Sequence, residues 1–140
     1  LKVLFLDLDG VINSRSSTDF RNNLWPVDPY MAFMVGKIQL DTGCVVVLSS
    51  AWRLHPKGIE AANKIVDIYD RTPFLSGNRG SEIQAWLDKH PEVEKYAILD
   101  DDSDMLESQL PNFFKTTFEY GLTEDIARKV TEYLNEPSIR

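Results

Sequence analysis

One cysteine, Cys44, and two histidines, His55 and His90, are all that this 140-residue chain offers to thiol or imidazole chemistry. A lone cysteine excludes an internal disulfide framework and a multi-cysteine zinc site, and two histidines disfavour a histidine-rich one. No apolar run approaches the ~18 residues that a membrane span needs. The opening run, Leu1 to Leu6, is too short for a signal peptide and passes straight into Asp7 without a small-residue cleavage site. A cytoplasmic location is therefore the expectation, with no membrane partner. Positive charge is also in deficit. A net charge of −7 disfavours broad non-specific binding to nucleic acid, although a local basic patch stays open. Repeats, low-complexity tracts and Pro/Gly/Ser linkers are missing, so residues 1–140 are expected to form one domain. Apolar residues make up 43% and charged residues 26%, a balance typical of globular chains and unlike that of disordered ones.

Two short aliphatic runs, Val3 to Leu6 and Val45 to Leu48, read as strands buried on both faces, as in parallel sheets. Tyr96 to Leu99 and Phe113 to Phe118 are further strand candidates, and Pro73 to Leu75 is a weaker one. Helical patterns fill the gaps. Asp28 is placed to cap a helix with Pro29 at its first position, and Gly43 sits where that helix would end. Ile59 to Ile68 carries apolar residues at helical spacing. Ser81 opens a third helical stretch, with Arg79 ahead of it, and Thr123 caps a fourth running to about Leu134. Strands alternating with helices predict an α/β domain with a mostly parallel sheet. The polar stretch from Val11 to Val27 fits neither period, and loops of that length are usually functional or disordered.

In such a sheet, ligands bind outside the carboxyl ends of the strands. The residues following the candidate strands are Asp7-Leu8-Asp9-Gly10, Ser49-Ser50-Ala51-Trp52-Arg53 and Asp100-Asp101-Asp102-Ser103-Asp104. Two carboxylate clusters and a pair of hydroxyls would then converge on one edge. Each close carboxylate pair costs on the order of 1 to 4 kcal/mol at partly solvated positions. A cation, or protons held by raised pKa values, must offset that. Oxygen ligands without His or Cys suit Mg²⁺, which also takes a substrate phosphate oxygen.

These residues match a family pattern. Phe5-Leu6-Asp7-Leu8-Asp9-Gly10-Val11 resembles the first motif of the haloacid dehalogenase (HAD) superfamily. Val46-Val47-Leu48-Ser49 resembles its second and Ile98-Leu99-Asp100-Asp101 its fourth. More narrowly, Leu48 to Arg53, Arg79 to Leu87, Leu99 to Asp102 and Gly121-Leu122-Thr123 resemble the HAD domains associated with Swiss Army Knife RNA-repair proteins. The resemblance implies a three-layer α/β sandwich with a Rossmann-like parallel sheet, strand order 5-4-1-2-3 and a minimal cap or none. It implies a Mg²⁺-dependent phosphohydrolase acting through a phosphoaspartyl intermediate. Asp7 would be nucleophile and metal ligand. Asp9 would be general acid and base, reaching the metal through its backbone carbonyl. Ser49 would hold a phosphoryl oxygen, and Asp100 and Asp101 would complete the metal site. The family's third motif usually supplies a Lys. Here the best-placed cation is Arg79, with Lys89 and Lys95 as rivals, and Lys89 is expected to face solvent.

Other readings stay open. Asp7-x-Asp9-Gly10 also suits a plain strand end and turn, and Asp104 a turn or helix cap. Ser50 is the candidate turn cap beside Ser49. Trp52 and Trp86 suit packing, His55 and His90 the surface, and Cys44 the buried start of a strand. Five of seven arginines, at 15, 21, 53, 71 and 79, fall between the first and third motifs. They are either solvated scatter or a basic rim suited to a nucleotide or a nucleic-acid end. A receiver-type phospho-acceptor switch and a catalytically silent HAD-fold binding module remain alternatives to the enzyme.

Overall fold

The computed structural model describes residues 1–17 and 23–137. Five strands form one all-parallel sheet: β1 (Lys2–Leu6), β2 (Val45–Leu48), β3 (Ile68–Arg71), β4 (Lys95–Asp100) and β5 (Phe113–Lys115). Their spatial order is β3-β2-β1-β4-β5, the expected 5-4-1-2-3 read from the other edge. Four helices cover it: α1 (Pro29–Thr42), α2 (Pro56–Asn63), α3 (Arg79–Asp88) and α4 (Glu124–Asn135). One core joins Leu4, Leu6, Val46 and Leu48 to Val35 and Ile38 of α1, Ala62 of α2 and Val130 and Leu134 of α4. The other joins Val3, Phe5, Val47 and Ile98 to Ile83 and Trp86 of α3. The result is three layers, with α3 alone among the described α-helices in the second core. β1 is buried on both faces because it is the central strand. No described helix is long and apolar enough to cross a membrane.

Local chemistry explains most boundaries. Asp28 accepts the Tyr30 and Met31 amides, Pro29 needs no such partner, and Gly43 closes α1 at φ 72°. Thr123 caps α4 by accepting the Ile126 amide. Four expectations need correcting. The third strand is Ile68–Arg71, not Pro73–Leu75, because Pro73 has no N–H to give a ladder. The helix predicted to reach Ile68 stops at Asn63. The β-branched Ile65, Val66 and Ile68 had mimicked its period, while Val66 buries itself in the turn that leads to β3. α3 begins at Arg79, not Ser81, because Asn78 is the cap and accepts the Ser81 amide at 2.7 Å. β5 also ends earlier than expected. Thr117 pairs antiparallel with Gly121 in a tight turn, where Gly121 has φ 65°.

Candidate active site

The crevice between β1 and β4 is where connections leave the sheet in opposite directions, the usual ligand position in such folds. In-register pairing runs one residue past the strands. The amides of Thr72, Ser49 and Asp7 donate to the carbonyls of Leu48, Leu6 and Leu99, each at 3.0 Å. Thr72, Ser49, Asp7 and Asp100 therefore form a row across the carboxyl edge, and Lys115 extends it beside Asp100. In-register neighbours project to one face, here the face covered by α3.

Asp7, Asp100 and Asp101 each place a carboxylate oxygen within 4.8 Å of the others. Asp7 and Asp100 are buried and Asp101 half-buried. Gly10 makes room for this trio, since a Cβ there would collide with the Asp101 carboxylate, and its φ of 79° disfavours other residues. Thr116 ties down the same loop by donating to the Gly10 carbonyl at 2.6 Å.

Arg79, on the first turn of α3, sets one guanidinium nitrogen 3.0 Å from Asp7 and 2.7 Å from Asp100. Asp104 accepts the Arg79 and Gly80 amides, so it caps α3 from across the site rather than a helix of its own. Lys89 is exposed, as anticipated. Lys95 lies over the Tyr133 ring and beside Glu136, away from the carboxylates.

Burial, then the charge of Asp100, raises the Asp7 pKa well above the usual carboxylate range. Arg79 pulls it down and Asp101 adds to the rise. Burial also raises Asp100, against the pull of Arg79 and of the Asp102 amide. Burial works against the Arg79 charge, but Asp7, Asp100 and Asp104 outweigh it and raise the guanidinium's pKa. One cation thus faces more negative charge than it can neutralise.

Asp9 lies outside the carboxylate trio. Its half-buried side chain accepts from Asn13 at 3.0 Å. Asn13, fully buried, also accepts the Gly10 amide at 2.9 Å and donates to the Pro26 carbonyl. Ser49 is fully buried, and its Oγ has no hydrogen-bond partner among the described residues. Ser50 instead caps the 3-10 turn Ala51–Leu54, accepting the Trp52 amide.

The arginine rim needs revision. Arg53 is buried, not peripheral. It donates to the Ser49, Ser50, Thr72 and Pro73 carbonyls and pairs with buried Glu82 at 2.9 Å. Burial lowers its pKa, against the pull of Glu82. Arg15 and Arg71 are exposed, and Arg21 lies outside the described residues. Trp52 is core and packs edge-on against Trp25. Trp86 is core as well. His90 is half-buried rather than free on the surface, because its ring stacks on Trp86 at 3.7 Å.

A family model for the HAD domain in Swiss Army Knife RNA repair proteins matches residues 3–127. The chain belongs to this family. No curated protein and no solved structure gives a match. HAD domains are typically hydrolases or phosphatases. In this HAD domain, Asn13, Glu82 and Thr116 support the site, and Thr72 lies at its edge, without having stood out in the sequence. Asn13 was legible only as a polar residue following Val11-Ile12. Thr72 becomes visible once β3 is placed at Ile68–Arg71.

Proposed function

We propose that this HAD domain is a Mg²⁺-dependent phosphohydrolase that acts through an aspartyl-phosphate on Asp7. The reading takes residues 1–140 as one cytoplasmic domain. The observation that carries it is the oxygen-only trio Asp7, Asp100 and Asp101 beside the unpartnered Ser49 hydroxyl. Three close carboxylates with one arginine retain net negative charge, and their donor set suits Mg²⁺. Asp7, Asp100 and Asp101, with the Asp9 carbonyl, would hold the ion. It would supply charge neutralisation for an anionic phosphoryl group.

An Asp7 carboxylate oxygen attacks phosphorus, forming a P–O bond as the ester P–O bond breaks. Asp9, as general acid, gives a proton to the departing oxygen. The Asn13 amide fixes one Asp9 oxygen and leaves the other to serve the reaction. Ser49 Oγ donates to a phosphoryl oxygen, and Arg79 offsets the charge that accumulates there. Water then attacks phosphorus, Asp9 takes its proton, and Asp7 is released with inorganic phosphate.

The substrate is read as a nucleotide or nucleic-acid end. Among the described residues, the segment between β1 and β2 contributes the site loop and α1, with no cap over the carboxylates. An open site of that kind admits a bulky leaving group. Exposed Arg15 and Arg71 remain of the basic rim. A receiver-type switch fits less well. That fold has strand order 2-1-3-4-5, whereas this sheet is 3-2-1-4-5, and Lys115 aligns with Asp100 rather than Asp7.

The test is turnover of phenyl phosphate and phosphorylated oligonucleotides with Mg²⁺. Wild-type protein should turn over, and Asp7→Asn should retain less than a few per cent while melting cooperatively. Substantial activity in Asp7→Asn would sink the covalent mechanism. No turnover in wild type would favour a silent binding module.

A further inference from the structure

Ser49 is not the only buried hydroxyl without a partner on this sheet edge. Thr72 is 4% exposed and its Oγ1 also has no hydrogen-bond partner among the described residues. An unpaired buried hydroxyl costs stability, so its retention calls for an explanation. Its position supplies one. The Thr72 amide donates to the Leu48 carbonyl at 3.0 Å, which sets Thr72 in register beside Ser49. Two residues earlier, Asp70 accepts the Trp86 indole N–H of α3 at 2.8 Å, so alternation puts Thr72 on the α3 face as well. Neighbouring strands lie ~4.8 Å apart. Thr72 therefore stands one strand beyond Ser49, on the side away from the carboxylates.

The backbone there is held on both sides. Arg53 takes the Thr72 and Pro73 carbonyls, and Glu82 takes the Leu75 amide at 2.9 Å. A rigidly placed hydroxyl next to the phosphoryl-binding serine is too far out for the scissile phosphoryl group itself. It is placed for the group attached to it. We infer that Thr72 is a specificity residue, whose hydroxyl bonds an oxygen of the leaving group beside the phosphoryl site. In a nucleotide that oxygen is a sugar hydroxyl or a flanking phosphodiester oxygen. This rests on the phosphatase reading above and adds the part of the substrate that the site reads.

Thr72→Val removes the hydroxyl at nearly constant volume, and Thr72→Ser keeps it. The substrates are phenyl phosphate, whose leaving group carries no oxygen beyond the bridging one, and ribo- and deoxyribo-oligonucleotides with 3′- or 5′-terminal phosphate. Thr72→Val should lose roughly tenfold in kcat/KM on at least one oligonucleotide, the scale of one lost hydrogen bond to a buried partner. It should keep wild-type turnover of phenyl phosphate, and Thr72→Ser should recover the loss. Loss confined to the ribo-substrate identifies a sugar hydroxyl, and equal loss on ribo- and deoxyribo-substrates identifies the phosphodiester. The melting temperature of Thr72→Val should hold or rise, because an unpaired polar group has been removed. Equal losses on all esters, or no loss on any, overturn the inference and leave the phosphatase reading standing. Absence of wild-type turnover on every ester overturns both.

Discussion

Arg79 and Asp100 meet at 2.7 Å, with the aspartate side chain fully buried and the arginine's 19% exposed. The same nitrogen reaches Asp7, so one guanidinium holds both carboxylates of the central crevice. That contact uses one tip of the planar guanidinium, so a lysine's point charge can imitate part of it but not its reach or its plane. Arg79→Ala should cut turnover of phenyl phosphate and of oligonucleotides alike by orders of magnitude. Arg79→Lys should recover part of it, restoring charge without the reach or the plane. Lys89→Ala should be nearly silent. Steady-state kinetics on the three variants decide. A raised KM for oligonucleotides alone in Arg79→Ala would make Arg79 a rim residue instead.

The pH dependence of the metal-free protein follows from the same burial. Asp7 and Asp100 have folded-state pKa values raised above their ordinary value of 3.8. The folded state thus binds protons that the unfolded chain has released. Their stabilising contribution is full below about pH 4 and is lost as pH rises through the raised values. In chelator, the melting temperature should fall across that window. Asp7→Asn should flatten the slope. Mg²⁺ should oppose it, since an ion held by the trio as proposed would compete with those protons. Thermal melts across pH, with chelator and with Mg²⁺, measure this. A chelated melting temperature that climbs over that window would contradict the raised values.

Behind Ser49 and Thr72, Arg53 and Glu82 form a buried pair whose remaining bonds go to backbone. Removing one partner strands the other charge. Glu82→Gln should destabilise by about 3 kcal/mol, and Arg53→Met by at least as much, since it also strips four carbonyls of a donor. Denaturant unfolding measures both. A loss below ~1 kcal/mol in either would mean that the pair contributes no more than a surface bridge.

Sequence pattern revealed the central layers better than the edges. β1, β2 and β4 are buried on two faces or end in acids, so their runs stand out, and the caps at Asp28 and Thr123 are local chemistry. β3 is an edge strand with an irregular register against β2 and alternating burial, and its apolar neighbours imitate a helix. The nucleophile-like Asp7 and the terminal acids were visible because they follow those runs directly. Arg53 was not legible as a core residue. Ser49 and Ser50 lie close to it in sequence, but Glu82 and the Thr72 and Pro73 carbonyls after β3, which complete its burial, meet it only in three dimensions. Asn13 was hidden for a different reason: its partners Gly10 and Asp9 are local, but the turn that brings them to its side chain has no period to read.

Gly10 offers a test that runs through geometry rather than charge. Its carbonyl accepts from Thr116, its amide donates to Asn13, and the space over its Cα belongs to the Asp101 carboxylate. Gly10→Ala keeps every ligand, yet its methyl group needs the volume that Asp101 fills. The left-handed φ adds a strain of about 1 kcal/mol. The backbone is fixed at both of its polar atoms, so Asp101 is the part that yields. Mg²⁺ affinity, read by calorimetry or by the Mg²⁺-induced melting shift, should fall roughly tenfold or more. Asp101→Ala should weaken the ion by a similar route. If both act through one carboxylate, the double variant should bind Mg²⁺ no worse than Asp101→Ala alone, a non-additivity expected of residues in contact. Additive losses would show that Gly10→Ala acts on the Asp7–Asp9 loop itself, and that the space above Gly10 is not what positions Asp101.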